Sequence, residues 1–344
     1  MSPSNTLPSR ITTEEMLDDV MTSPSAALVR DLAEIEGDIL ILGVGGKMGP
    51  TLARLARRAA PQKRILAVAR FSSSGLRESL ERACVETIAT DLLDRAAIEA
   101  LPRVRNIVFM AGFKFGADEN PGLTWAMNVL MPAVVADSFR DSHIVAFSTG
   151  CVYPFAPVDD GGSKETERPD PPGEYAMSCL GRERMFEYNS LLHGTPGRLF
   201  RLNYSIDLRY GVLHDIAVKV RNREPLDVTM GHVNVIWQGD ACAQALRCLK
   251  HCTVPTTPIN VSGPEILSVR ALAEEFGMRL DKRPIIVGEE ADRSWLTNTE
   301  LATRLFGPPQ MPLPLLLDWI ADWVAADRRS LNKPTKFDVR SGAY

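Results

Sequence analysis

The chain has 344 residues, 45% hydrophobic and 24% charged, which is enough to bury a large core as one big α/β domain or two coupled ones. A net charge of −4 and a pI near 5.8 argue against a nucleic-acid partner, which calls for clustered basic excess. The polar, proline-containing start over 1–10 is no signal peptide, and the apolar stretch 313–326 is broken by Asp318 and Asp322, so no membrane partner and a cytoplasmic location are expected.

From the N terminus, 13–36 reads as an acidic helical extension with Thr13 as N-cap and Pro24 as a break, within a unit over 1–36. Apolar runs then recur at 39–42, 65–69, 85–89, 107–110, 144–147 and 199–202, separated by helix-like segments at 50–59, 75–83, 95–101, 122–139 and 175–192. Continuous apolar strands alternating with helices predict a parallel sheet covered on both faces, a Rossmann-type doubly wound α/β core. That core is expected over 37–203, with 233–263 returning to it. A smaller C-terminal substrate lobe is expected from 204–232 and 264–330, with helices at 268–276 and 313–326. The segment 154–173, holding Gly161-Gly162 and Pro169 to Pro172, reads as an irregular loop at the site's rim, and 331–344 as a polar, loosely held tail.

Chemistry enters at the end of the first strand, where Asp38-Ile-Leu-Ile-Leu42 meets Gly43-Val-Gly-Gly-Lys-Met-Gly49 and a helix follows. Backbone N–H groups and a positive dipole end converging there suit a pyrophosphate, so a bound dinucleotide is expected. A phosphate-hydrolysing loop would need Ser or Thr after Gly46-Lys47, where this chain has Met48. The glycines fall at 43, 46 and 49, off the strict dinucleotide spacing. Six cysteines show no paired spacing, and Cys248, His251 and Cys252 lack a second ligand pair, so reduced thiols and no metal are expected.

Two further motifs, Phe147-Ser-Thr-Gly-Cys-Val-Tyr-Pro154 and Glu174-Tyr-Ala-Met-Ser-Cys-Leu-Gly-Arg-Glu183, complete an ordered set. With them the chain resembles, over about 37–324, the extended short-chain dehydrogenase/reductase family of NAD(P)-dependent sugar epimerases and dehydratases. The resemblance implies a reaction centre of Thr149 and Tyr175. The tyrosine would exchange a proton with a secondary alcohol or ketone as hydride moves to or from nicotinamide, and Thr149 would orient the reacting oxygen. The family places a lysine one helical turn after the tyrosine to hold the nicotinamide ribose and lower the phenol pKa, and this chain has Cys179 there. Gly150 and Cys151 stand where dehydratases carry an acid, so dehydration is the least favoured of the reactions.

The same resemblance implies cofactor contacts from Gly43, Gly46, Lys47, Met48 and Gly49, from Asp91 and Leu92 after the third strand, from Ala111, Gly112 and Lys114 after the fourth, and from Asn128 and Tyr175. The second strand ends in Arg70-Phe-Ser-Ser-Ser74 rather than in an acid, so NADP is preferred over NAD, with Arg70 and Ser72 on the 2′-phosphate. Asn203 and Tyr204, with Thr149, are expected to border a sugar-like small-molecule substrate, as is the segment 231–240. Arg209, Arg221, Arg223 and Arg293 are further candidates for a substrate anion. A homodimer through the helices at 122–139 and 175–192 is expected by family likeness. The competing reading is an NADP-binding regulatory or scaffolding protein whose catalysis Cys179 has impaired.

Overall fold

The computed structural model describes residues 7–333 and 335–342. Seven parallel strands form the central sheet: β1 (Ile39–Leu42), β2 (Ile65–Ala69), β3 (Glu86–Ala89), β4 (Asn106–Phe109), β5 (His143–Thr149), β6 (Gly197–Leu202) and β7 (Thr257–Val261). Their order is β7-β6-β5-β4-β1-β2-β3, so the chain reverses direction across the sheet between β1 and β4. Apolar clusters cover both faces, one built on Ile39, Ile41, Leu52 and Phe200, the other on Leu40, Leu42, Phe109 and Leu199. This is the doubly wound α/β class expected from the continuous apolar strands.

The first two strands have the expected ends, while β5 and β6 run further. Among the extra residues are polar side chains with partners distant in the chain: Ser148 donates to Glu183, and Arg198 to the His251 carbonyl and to Thr257 Oγ1. β7 was expected only as part of a returning segment. It pairs along β6 from Thr257 opposite Arg198 to Val261 opposite Leu202.

The helix expected at 122–139 is a composite, α over Pro121–Trp125, π over Ala126–Leu130 and α over Met131–Ser138. Pro132 has no N–H to return to the Asn128 carbonyl, and the Met131 N–H reaches back to the Ala126 carbonyl instead. The long helix Gly173–His193 packs against it, closest at Gly181, where a Cβ would lie 2.8 Å from Val129 Cγ2.

Thr13 caps the helix Glu14–Met21 by accepting the Met16 N–H, and Ser25 caps Ala26–Glu34 in the same way through Leu28. Ile11, Leu17 and Met21 sit in the core of the C-terminal lobe with Trp319 and Phe276, whereas Leu28 and Leu32 join the sheet cluster. The N-terminal extension therefore binds lobe and sheet together. At the other end, the tail expected to be loose is packed: Thr335 is 4% and Phe337 2% exposed, the phenyl ring buried in the lobe core. A single phenylalanine in a polar context carries no periodicity, which is why the sequence does not display this contact. Residues 343–344 lie outside the described residues.

Behind the strand ends, Arg201 donates to both oxygens of Glu183, at 2.9 and 2.7 Å, and to the Tyr153 hydroxyl at 2.6 Å. Tyr153 donates to Asn260 Oδ1, and Ser148 donates to Glu183 at 2.6 Å, so one network ties β5, β6, β7 and the long helix. Glu183 is fully buried and Arg201 2% exposed. Arg201→Met strands the carboxylate, so unfolding free energy in urea is expected to fall by about 3–5 kcal/mol, and Glu183→Leu added to it should restore most of the loss. A loss below about 1 kcal/mol would mean that the pair is not a tether.

Candidate functional site

Two adjoining hollows lie across the carboxyl ends of the strands, joined by the stretch Met110, Ala111 and Gly112 that leaves β4. The first, of about 260 Å³, lies beside β1, β2 and β3 and is lined by Gly43, Gly46, Arg70, Ser72, Asp91 and Leu92. The second, of about 280 Å³, lies beside β4, β5 and β6 and is lined by Lys47, Lys114, Thr149, Tyr175, Arg182 and Tyr204. The junction falls where strand order reverses, the crevice in which open α/β sheets take ligands. Larger hollows of about 500 and 640 Å³ lie against the N-terminal extension and beside the lobe helix Val212–Asn222, and neither contains Thr149 or Tyr175.

The glycines after β1 divide by physical role. Gly43 has φ +93°, and a Cβ there would lie 2.5 Å from the Ala111 backbone; at Gly49 it would lie 2.1 Å from the Val44 carbonyl. These two are dictated by the protein's own packing. Gly45 and Gly46 are exposed to the cleft and a Cβ would meet nothing nearer than 3.4 and 3.8 Å. Their bare backbone makes a cradle that a side chain would fill, which fits the close approach of a pyrophosphate at the start of the helix Gly49–Ala59.

Lys47 leaves this loop toward the second hollow. Its ammonium donates to the Ser205 carbonyl at 3.2 Å and lies 3.9 Å from the Tyr210 ring centre, and burial lowers its pKa to about 8 despite nearby Asp207. Met48 is half-buried beside it. On the opposite side, Arg70 is exposed at the end of β2 and makes no hydrogen bond or ion pair among the described residues, while Asp91 Oδ1 accepts the Leu93 N–H in a local turn. The helix Arg95–Glu99 is capped by Asp94 instead.

Tyr175 stands in the first turn of the helix Gly173–His193, half-buried, its hydroxyl hydrogen-bonded to the Cys179 thiol one turn on. Burial, with the Cys179 and Cys151 thiols beside it, raises its pKa well above the usual phenol value, and Arg182 acts the other way. Burial also raises the Cys179 thiol, so both groups are neutral near pH 7. Lys114 lies 5.4 Å from the Tyr175 ring centre. Thr149 ends β5 and caps the short turn Gly150–Val152; its oxygen accepts the Cys151 N–H at 3.2 Å, which leaves its own proton to donate.

Asn128 and Arg182 form the joint beneath these groups. Asn128 Oδ1 accepts the Phe113 N–H at 2.8 Å and Arg182 Nη2 at 2.7 Å, and its amide donates to the Phe113 carbonyl and to Ser178 Oγ. Its side chain is saturated by the protein, so it orders the loop after β4 and has no donor left for a ligand. Arg182, 6% exposed, donates also to the Phe147 carbonyl, while its Nε is buried without a partner. It makes no ion pair among the described residues, and a Cβ on Gly112 would lie 2.5 Å from its Nη2. Sequence reasoning missed Arg182; the available signal was its position seven residues after Tyr175, two turns along the same helix face.

The expected substrate-side residues are divided. Asn203 and Tyr204 line the second hollow, with Asn203 donating to Asn234 and to the Trp295 carbonyl. The segment 231–240 does not line it: Asn234 braces Asn203 from behind, and Trp237 and Asp240 face the hollow under the N-terminal extension. Three of the four candidate arginines are engaged within the chain, and none of the four lines the second hollow. Arg209 binds Glu14, Asp18 and Asp207, Arg221 binds Asp327, Arg293 donates to the Phe155 carbonyl, and Arg223 lies on a separate surface hollow. Among the described residues, no group of three or more His, Cys, Asp or Glu side chains converges to hold a metal ion, and no helix is long and apolar enough to cross a membrane.

No protein-family model matches the chain, and no curated protein matches it in sequence. In three dimensions it is similar to UDP-glucose 4-epimerase from Thermus thermophilus in complex with NAD, at 18% identity and a TM-score of 0.68, over 83% of this chain and 98% of that one. It is similar to dTDP-glucose 4,6-dehydratase from Streptomyces venezuelae with NAD bound, at 17% identity and a TM-score of 0.71, over 84% and 97%. A UDP-glucuronic acid 4-epimerase variant from Bacillus cereus in complex with NAD matches at 15% identity and a TM-score of 0.71, over 84% and 99%. The chain shares the fold of these epimerase and dehydratase structures.

Proposed function

We propose that this chain is an NADP-dependent oxidoreductase or epimerase that transfers hydride at a secondary alcohol or ketone of a sugar-like small molecule. The observation that carries the reading is the two-part groove, with Arg70 and the open glycines at one end and Thr149 and Tyr175 together at the other. When bound, the nicotinamide supplies the hydride acceptor or donor. The Thr149 hydroxyl donates to the reacting oxygen, its lone pair being engaged by Cys151 N–H. Tyr175 holds its proton at neutral pH and donates it to that oxygen as a ketone is reduced. In the reverse direction the phenol must lose a proton, and the Arg182 charge favours that loss, while Lys114 lies 5.4 Å from the ring centre.

Arg70 with Ser72 supports NADP over NAD: a guanidinium and a hydroxyl can donate charge-assisted bonds to a 2′-phosphate, and β2 ends without the acid that takes ribose hydroxyls. The helices 121–138 and Gly173–His193 expose Trp125, Leu130, Met177, Tyr188 and Leu191, an apolar face that supports the homodimer. All six cysteines are free thiols, in keeping with a cytoplasmic protein. The sheet core and the lobe built on Val212–Asn222, Val269–Leu280 and Leu313–Ala325 act as cofactor and substrate units.

A second reading, binding without turnover, is favoured by one observation: Cys179 is a neutral thiol bonded to the phenol where a charged amine would activate it. Turnover separates the two. Across carbinols and ketones followed by nicotinamide absorbance, Tyr175→Phe is expected to keep NADP affinity and lose about 10²–10⁴ in rate. A fully active Phe variant would place the proton donor elsewhere, and bound NADP with no turnover in the unmodified protein selects the second reading.

Arg70→Ala is expected to weaken NADP by about ten- to a hundredfold and leave NAD unchanged in calorimetric titrations. Equal affinities in the unmodified protein would remove the NADP assignment. Gly46→Val should weaken both dinucleotides at unchanged melting temperature, whereas Gly49→Val should fail to fold; Gly46→Val with full affinity would mean the cradle holds no pyrophosphate.

A further inference from the structure

The hollow of about 500 Å³ against the N-terminal extension shares no lining residue with either part of the groove. Its walls come from residues within 19–25, from the segment 306–311 and from the helix Gln238–Arg247. Along that helix the lining side chains include Trp237 at the N-cap, Asp240, Gln244 and Arg247, spaced so that they form one stripe.

Three members of the stripe have bonding capacity left over. Trp237 is 3% exposed, and its indole N–H makes no hydrogen bond among the described residues. Gln244 is 6% exposed and bonds through neither amide atom among the described residues; its Oε1 is also shut off from solvent. Asp240 commits one oxygen only, Oδ2 accepting the N–H groups of Gln310 and Met311, both at 3.0 Å, which leaves Oδ1. Burial raises the Asp240 carboxyl to about 6 against the pull of those two bonds, so at pH 7 it is mainly ionised and accepts. Buried polar groups are normally paired, and a hollow that keeps three unpaired ones on one helix face gains from a ligand that pairs them.

Charge and shape narrow the ligand. The lining holds two cations, Arg58 and Arg247, and two acids, Asp19 and Asp240, so it favours neither sign. Arg58 pairs with Asp19 at 3.2 Å, and Arg247 is taken by Asp31 at 2.6 Å and by the Phe306 carbonyl at 2.8 Å. Val20, Pro308, Pro309 and Met311 supply apolar wall, and the volume lies within the roughly 300–1,000 Å³ of small-molecule sites. A carboxamide pairs at both its atoms with an amino group and the ring nitrogen beside it, and a carboxylate accepts from such an amino group.

We propose that this hollow is a second ligand site, for an uncharged nucleobase or nucleoside that carries an exocyclic amino group beside a ring nitrogen. Asp240 Oδ1 and Gln244 Oε1 accept the two amino hydrogens, Gln244 Nε2 donates to the ring nitrogen, and the Trp237 indole N–H donates to a further acceptor of the ligand. The terminal torsion of a glutamine is broad, so the amide turns its edge to the base without strain. The site is independent of what the groove binds.

The test titrates adenosine, cytidine and inosine calorimetrically into the full chain saturated with NADP, which keeps the nucleosides out of the groove. Adenosine or cytidine is expected to bind below about 1 mM. Inosine, which has a carbonyl in place of the amino group of adenosine, is expected to bind about tenfold or more weaker than adenosine. In Asp240→Asn the side-chain oxygen still accepts from Gln310 and Met311 while an NH₂ replaces Oδ1, so the preference for adenosine over inosine should vanish or reverse at unchanged melting temperature. Gln244→Met should weaken adenosine about tenfold or more and leave NADP affinity as it was. Failure of both amino nucleosides to bind below about 1 mM, inosine binding as tightly as adenosine, or a folded Asp240→Asn or Gln244→Met variant with the original preference and affinity would each overturn the proposal. Absence of NADP binding would overturn the reading of the groove instead; the same titrations on the unliganded chain then decide this site, because Asp240 and Gln244 line this hollow and neither part of the groove.

Discussion

The hydrogen bonds around Asn128 are the constraint on which the candidate site depends. One amide joins the loop after β4, through both polar atoms of the Phe113 backbone, to Ser178 and Arg182 of the helix that carries Tyr175. Because the amide is buried and saturated, displacing any one partner would leave a polar group dry at about 1–3 kcal/mol. Asn128 itself lies in the π turn Ala126–Leu130, where Pro132, two residues into the helix that follows, has no N–H to return to the Asn128 carbonyl.

The frame of this arrangement is legible in the sequence because it follows from local rules. Apolar runs bounded by turns located six of the seven strands, the glycine run located one of the two adjoining hollows, and the ordered motifs placed Thr149 and Tyr175 in the other. What was illegible depends on partners distant in the chain. Nothing beside Arg198 and Arg201 in the chain shows the His251 carbonyl and the Glu183 carboxylate that hold them. Asn128 looks like a cofactor ligand until four protein bonds account for it. Lys47 reads in the sequence as a cofactor contact of the glycine loop, yet it crosses to the lobe and donates to the Ser205 carbonyl.

Cys179 sets the electrostatics around Tyr175 in the candidate site. A lysine at that position would bring a charge against the phenol; the thiol brings a hydrogen bond and additional apolar burial, and the phenol pKa rises in consequence. Positive charge has not left the region, since Arg182 lies two turns along the same helix and Lys114 approaches the ring from the loop after β4. The two cations differ in what they can do. Arg182 is fixed by its bonds to the Phe147 carbonyl and to Asn128 Oδ1, so its charge stays where the fold places it. Lys114 is an ammonium whose pKa is already lowered by burial, so its charge depends on what binds beside it.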